Sequence, residues 1–142
     1  RQWMAERFNW YADTLNIEEG SVLLPDLGAT LWYSRLRVYD LGKLCDKTIA
    51  KTMAKDQPAF YDYVFEVAKP TFLHVHGSWT YYAAFDDDPR FRRDYIPIRE
   101  HVEPWQPGGG RATPPMSGDY VRKEAVVGQE QALEQLRQEA WW

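Results

Sequence analysis

The residues able to do chemistry fall at a few points along the chain. Asp26 and Asp40 each open an Asp-Leu-Gly, at what read as the carboxyl ends of two strands. Open α/β sheets bind ligands at that edge, where the strand order reverses. Both carboxylates are therefore candidates to accept hydrogen bonds from a ligand hydroxyl. Each equally reads as a turn carboxylate that bonds nearby backbone N–H groups while the glycine supplies a positive φ. Tyr33 and Arg35 lie between them and add a stacking face and a phosphate-binding fork. Asp26, Tyr33, Arg35 and Asp40 make up the expected ligand-binding set, with no catalytic residue among them.

His74 and His76 alternate along an apolar, β-prone run, Thr71 to His76, so both rings point to one face. That is a usable pair of metal ligands, with His101 or one of Asp86, Asp87 and Asp88 as a third. Nothing in the spacing fixes the third ligand, and half-exposed or hydrogen-bonded histidines are the plainer reading of the run. No metal and no cofactor is expected. Cys45, the one cysteine, sits beside the N-cap candidate Asp46, where a helix dipole would lower a thiol pKa; a small buried residue reads as well. No G-x-S-x-G surrounds any serine, and neither G-x-G-x-x-G nor a P-loop follows a strand, so hydrolase-elbow and nucleotide readings fail.

These residues need elements to hold them. Met4, Phe8, Tyr11 and Leu15 form one face of a helix over residues 1–16. Ser21 to Leu24 and Arg37 to Leu41 read as strands, and Ala29 to Ser34 as a short helix or a strand. Asp46 opens a helix with Ile49, Ala50 and Met53 on one side. Pro58 suits the first turn of another, with Phe60, Val64 and Val67 or Tyr63 and Val67 as its stripe, stopped by Pro70. Ser78 to Phe85 is aromatic and ambiguous, Asp86 to Pro89 a turn, and Tyr95 to Val102 a strand whose Pro97 suggests an edge. Residues 104–118 are a Pro/Gly-rich loop open to proteolysis, and 119–142 a closing strand and a helix carrying Leu133 and Leu136. The expectation is a single compact α/β domain, with a small, mostly parallel sheet flanked by helices and a core in residues 1–103.

With 142 residues and 44% hydrophobic content, one domain with a full core is the natural size. A mean hydropathy of -0.60 and no apolar run near 18 residues exclude a transmembrane helix within these limits. A net charge of -4 argues against nucleic acid as a partner. The chain opens at Arg1 without an initiator Met, which reads as a piece of a longer protein.

Leu24 to Ala50 reads LPDLGATLWYSRLRVYDLGKLCDKTIA, and this stretch resembles a pattern in bacterial membrane glycosyltransferases of the GT-C type. The matching positions are Asp26, Gly28, Ala29, Tyr33, Ser34, Val38, Asp40, Leu41, Leu44, Asp46, Ile49 and Ala50. Tyr63-Val64 to Pro70, Phe72 to Val75, Asp94 to Ile98 and Asp119 to Lys123 continue it, so the likeness covers residues 20–100 and a patch near 119. Gly42-Lys43-Leu44 departs from the family's Gly-Leu by one residue.

The resemblance implies a parent with many membrane helices that transfers a sugar from a polyprenyl-phosphate donor. This piece would be its C-terminal domain on the extracytoplasmic (periplasmic) face of the inner membrane, joined to the transmembrane part of the same chain. The family's catalytic carboxylates lie on an early loop without counterpart here, so the domain would assist acceptor binding or stability. A glycan or lipid-linked sugar is the implied ligand. Trp3 and Trp10 suit a domain near a headgroup layer. The alternatives are a stand-alone metal-dependent enzyme built on His74 and His76, or an interaction module for another envelope protein.

Overall fold

The computed structural model describes residues 2–26, 28, 30–104 and 113–139. Helix α1 (Gln2–Thr14) leads into β1 (Ser21–Leu24), the short α2 (Thr30–Tyr33) and β2 (Arg37–Asp40). Then come α3 (Lys47–Thr52), α4 (Gln57–Asp62) running on into a π turn (Tyr63–Ala68), and β3 (Phe72–Val75). The remaining elements are α5 (Ser78–Ala83), a 3-10 turn (Phe85–Asp87), α6 (Pro89–Asp94), β4 (Tyr95–Val102), β5 (Met116–Arg122), a second 3-10 turn (Lys123–Val126) and α7 (Glu130–Glu139).

One five-stranded sheet has the order β2-β1-β3-β5-β4. The central β1 runs parallel to β2 and to β3, whereas β5 is antiparallel to both β3 and β4. The sheet is thus α/β and mixed, not mostly parallel. The physical reason is the chain's return: β4 and β5 are joined as a long hairpin, and a hairpin can only pair antiparallel. β5 slots between β3 and β4 and leaves β4 at the edge, where the missing N–H of Pro97 is harmless. A bulge interrupts the β4–β5 register between Pro97 and Arg99.

The pleat sends alternate side chains to two cores. Val22, Leu24, Phe72 and Val121 pack against α1 and against Leu133 and Leu136 of α7. Leu23, Leu73, Val75 and Tyr120 pack on the other face against Ile49, Phe60, Phe65, Phe85 and Phe91. This is a helix–sheet–helix sandwich within one domain.

Most expected elements are present, and the departures have causes. The stripe ending at Val67 breaks because the π turn rotates that side chain outward; Phe60, Tyr61, Val64 and Phe65 are buried while Val67 is exposed. The turn expected at 86–89 instead caps a helix, since Asp88 accepts the Arg90 N–H and Pro89 occupies the first turn of α6. Within the ambiguous stretch 29–34, α2 forms over Thr30–Tyr33, and Ala29 lies outside the described residues. The Pro/Gly-rich loop falls mostly on 105–112, outside the described residues, and the closing strand already starts at Met116. Among the described residues no helix is long and apolar enough to cross a membrane.

Candidate functional site

From β1 the chain passes to β2 on one side and later to β3 on the other, so the strand order reverses between β1 and β3. A cavity of about 380 Å³ opens at that point, lined by Trp3, Arg7, Asp26, His76, Arg99 and Asp119 among others. Asp26 follows β1 and His76 follows β3, at the carboxyl ends of parallel neighbours. This is where an open α/β sheet leaves room for a ligand, because the two crossovers diverge.

The chemistry centres on Asp119, which is buried opposite His74 in the β3–β5 register. Its Oδ1 accepts from His74 Nδ1 at 2.6 Å and from an Arg7 amino group at 3.0 Å, and its Oδ2 accepts from the Tyr11 hydroxyl at 2.6 Å. Arg7 and Tyr11 sit four apart on α1, and a helix places such residues one above the other. A buried carboxylate is tolerable only when its oxygens are so served. Burial pushes the Asp119 carboxyl up, but the hydrogen bond and charge of His74, the charge of Arg7 and the hydrogen bond from Tyr11 outweigh it and hold the group below its usual range. Burial, and then the Asp119 carboxylate, push the Tyr11 hydroxyl far upward, so it remains a donor.

The network continues outward. His74 Nε2 lies 2.8 Å from His76 Nδ1, and His76 Nε2 lies 3.7 Å from the Asp26 carboxylate. His74 Nδ1–H donates to Asp119, and its Nε2 shares a hydrogen bond with His76 Nδ1. His76 Nε2 lies at the cavity, beside the Asp26 carboxylate. Burial, followed by the neighbouring His74, lowers the His76 pKa, which favours the neutral imidazole. Two imidazoles thus link the cavity to the buried Asp119 carboxylate.

Glu103 steadies the base of the site. It is buried, and its Oε2 accepts from Gly77 N–H at 2.9 Å and from the Ser117 hydroxyl at 2.5 Å, while Ser117 also meets Thr80 at 2.6 Å. Gly77 follows His76 directly, so these bonds fix the turn that carries the imidazole. Across the opening, the half-exposed Trp3 ring stacks over the Arg7 guanidinium, 4.7 Å away.

A family model described as a domain of unknown function (DUF8728) matches residues 2–124. The chain belongs to this family. All the cavity residues lie within the DUF8728 span, which runs from the start of α1 to the 3-10 turn after β5 and leaves α7 outside. No curated protein and no solved structure matches the chain.

Of the four expected ligand residues, only Asp26 lines this cavity. Asp40 is buried and spends its carboxylate on the backbone: Oδ1 accepts from Gly42, and Oδ2 from Leu44 and Cys45. Arg35 is a clamp, bonded to Asp13 and to the carbonyls of Glu18 and Ile17. The Tyr33 side chain is exposed on α2, and its carbonyl accepts from Asn9. Neither Tyr33 nor Arg35 lines the cavity at the strand ends or the smaller one beside Asp40.

His74 and His76 do share a face, yet they bond to each other. Both ring nitrogens of His74 are engaged, so in this arrangement it has no lone pair to offer an ion. Among the described residues, no group of three His, Cys, Asp or Glu side chains is placed to hold a metal. Asp86 instead pairs with Arg92. Cys45 is exposed, not buried. Sequence reasoning missed Arg7, Tyr11 and Asp119; the only local signal was a cation and a hydroxyl four apart beside the apolar stripe of α1.

Proposed function

We propose that the cavity at the ends of β1 and β3 binds the sugar portion of a glycan or lipid-linked sugar. On this reading the domain is the extracytoplasmic part of a polyprenyl-phosphate-dependent membrane glycosyltransferase of GT-C type, serving the acceptor side and leaving the transfer step to the membrane part. The observation that carries the binding reading is the exposed Trp3 ring sharing one cavity with Asp26, His76 and Arg99. An indole covers the C–H face of a pyranose. A carboxylate, an imidazole and a guanidinium supply directional bonds to hydroxyls, and the guanidinium also meets a phosphate. The glycosyltransferase context is supported by the ordered likeness over residues 20–100.

The test is a titration of short glycans and short-chain polyprenyl-phosphate sugars into labelled protein, followed by amide and indole shifts. Shifts at Trp3, Asp26, His76 and Gly118 are expected, and Trp3→Ala weakens them by about tenfold or more, the loss of roughly 1.4 kcal/mol of stacking. Silence at these positions with every ligand sinks the binding reading. The chain of His76, His74 and Asp119 favours a second reading, a self-sufficient acid–base enzyme in which His76 Nε2 takes a proton from a cavity-bound hydroxyl. Product formation by the isolated domain, abolished in His76→Gln, distinguishes that case from binding alone.

A further inference from the structure

The face around α2 carries bulky apolar side chains that the fold holds out in water. Leu31, Trp32 and Tyr33 are 52%, 88% and 53% exposed, and Leu44 is 82% exposed. Leu31 and Cys45 line one small cavity, which sets α2 beside the turn bearing Leu44. The knuckle is fixed from behind. Thr30 is buried, Asn9 bonds the carbonyl of Tyr33 and the N–H of Arg35, and Arg35 is tied to Asp13, Ile17 and Glu18. A side chain 88% exposed touches almost nothing of its own protein, so Trp32 projects from the surface as a preorganised wedge.

We propose that this face docks onto the surface of an anionic lipid bilayer, with Trp32, Leu31 and Leu44 entering the headgroup–acyl boundary. Two observations select a bilayer. First, the patch is small and protruding. A stable protein interface takes roughly 20–30 residues and about 800 Å² a side, whereas a few inserted apolar side chains with nearby cations suffice at a membrane. Second, the charge is complementary: residues 42–55 carry Lys43, Lys47, Lys51 and Lys55 against Asp46 alone, in a chain whose net charge is -4. A Trp and Tyr knuckle beside the turn that opens this lysine-rich stretch matches the interfacial layer, where amphipathic rings sit beside phosphates. The inference is independent of what the cavity binds.

Cys45 is the only cysteine and is exposed beside Leu44, so a polarity-sensitive fluorophore on its thiol reports from the patch itself. The labelled protein is mixed with phosphatidylcholine vesicles with and without phosphatidylglycerol, and unlabelled protein is co-sedimented in parallel. A blue shift and sedimentation are expected with the anionic vesicles. Lys43→Glu/Lys47→Glu weakens binding ~30-fold or more, at roughly 1 kcal/mol per lysine, and Trp32→Ser weakens it about tenfold or more. Both variants are surface changes, and unaltered circular dichroism confirms the fold. No sedimentation with anionic vesicles overturns the proposal, as does binding that ignores the lipid charge. Concentration-dependent self-association lost in Trp32→Ser, without vesicle binding, also overturns it and makes the face an interface between copies.

Discussion

Replacing Asp119 by Asn tests whether the buried carboxylate is the hub of the site. The side chains are nearly isosteric, so no cavity forms and the effect is electrostatic. Asp119 serves three donors on two oxygens, with Arg7 and His74 at one and Tyr11 at the other. Asparagine keeps one carbonyl and turns an amide N–H₂ toward whichever donor is left. Removing the charge from a buried ion pair costs about 3–5 kcal/mol. The tautomeric freedom of His74 offsets part of this, so about 3 kcal/mol is expected, or a melting temperature lower by about 10 °C for a domain this size. Urea and thermal unfolding followed by circular dichroism measure it.

Tyr11→Phe, which leaves Arg7 and His74 on the carboxylate, costs about 1–1.5 kcal/mol. The double variant then shows a coupling above about 0.5 kcal/mol, because both changes act on one network. The pH dependence supplies a second check. The Asp119 carboxyl is held below the ordinary aspartate value of 3.8, so the unfolded chain binds its proton first on acidification. Its contribution is present above that pH and is lost as pH falls through the folded-state value. The gap between wild type and Asp119→Asn therefore narrows below pH 4. A loss under about 1 kcal/mol at pH 7, or a gap that stays constant down to pH 3, refutes the hub argument.

Three further outcomes follow from single positions. His76 is held below the ordinary histidine value of 6.5, first by burial and then by His74, so its stabilising effect is full above pH 6.5 and declines as pH falls; His76→Gln flattens that part of the stability profile between pH 7 and 5. Gly118→Ala places a Cβ 2.1 Å from the Arg99 carbonyl oxygen and 2.8 Å from the Glu100 Cα, which no side-chain rotation relieves; a loss of about 3 kcal/mol is expected in urea unfolding, with amide shifts along β4. Phe65→Ala removes a ring packed on Tyr61, Phe85, Phe91 and Tyr95 and costs about 3–5 kcal/mol by the same assay, while cavity residues on the opposite face of the sheet keep their ligand response.

What could be read in the residues and what could not divides along sequence separation. The apolar run Ser21 to Leu24, the stripe of α1 and the run at His74 are local patterns, and all three form the expected elements. The span of β4, Tyr95–Val102, also matches. The insertion of β5 between β3 and β4 is a pairing between segments some 45 residues apart in the case of His74 and Asp119, and no local period encodes it. That pairing makes the sheet mixed and creates the site, so the fold class was legible while Asp119 was not. The π turn is similar: one extra residue per turn leaves the composition unchanged but swings Val67 out of the core.

The two Asp-Leu-Gly segments show why a motif at a strand end does not decide its own role. Both follow parallel neighbours, β1 and β2, and both carboxylates stand at the same edge of the sheet. β2 is the outermost strand on its side, so the chain after Asp40 must fold back over open space. It makes a tight turn whose N–H groups at Gly42, Leu44 and Cys45 converge on the carboxylate. β1 is central, with β3 beside it, and the turn after it is met by His76 from the neighbouring strand. The carboxylate of Asp26 therefore faces an imidazole and a cavity, where that of Asp40 faces its own backbone. Exchanging the roles would require exchanging the strands' places in the sheet. Asp40→Asn is accordingly expected to loosen the 42–45 turn and leave the cavity's ligand response intact, and Asp26→Asn to do the reverse.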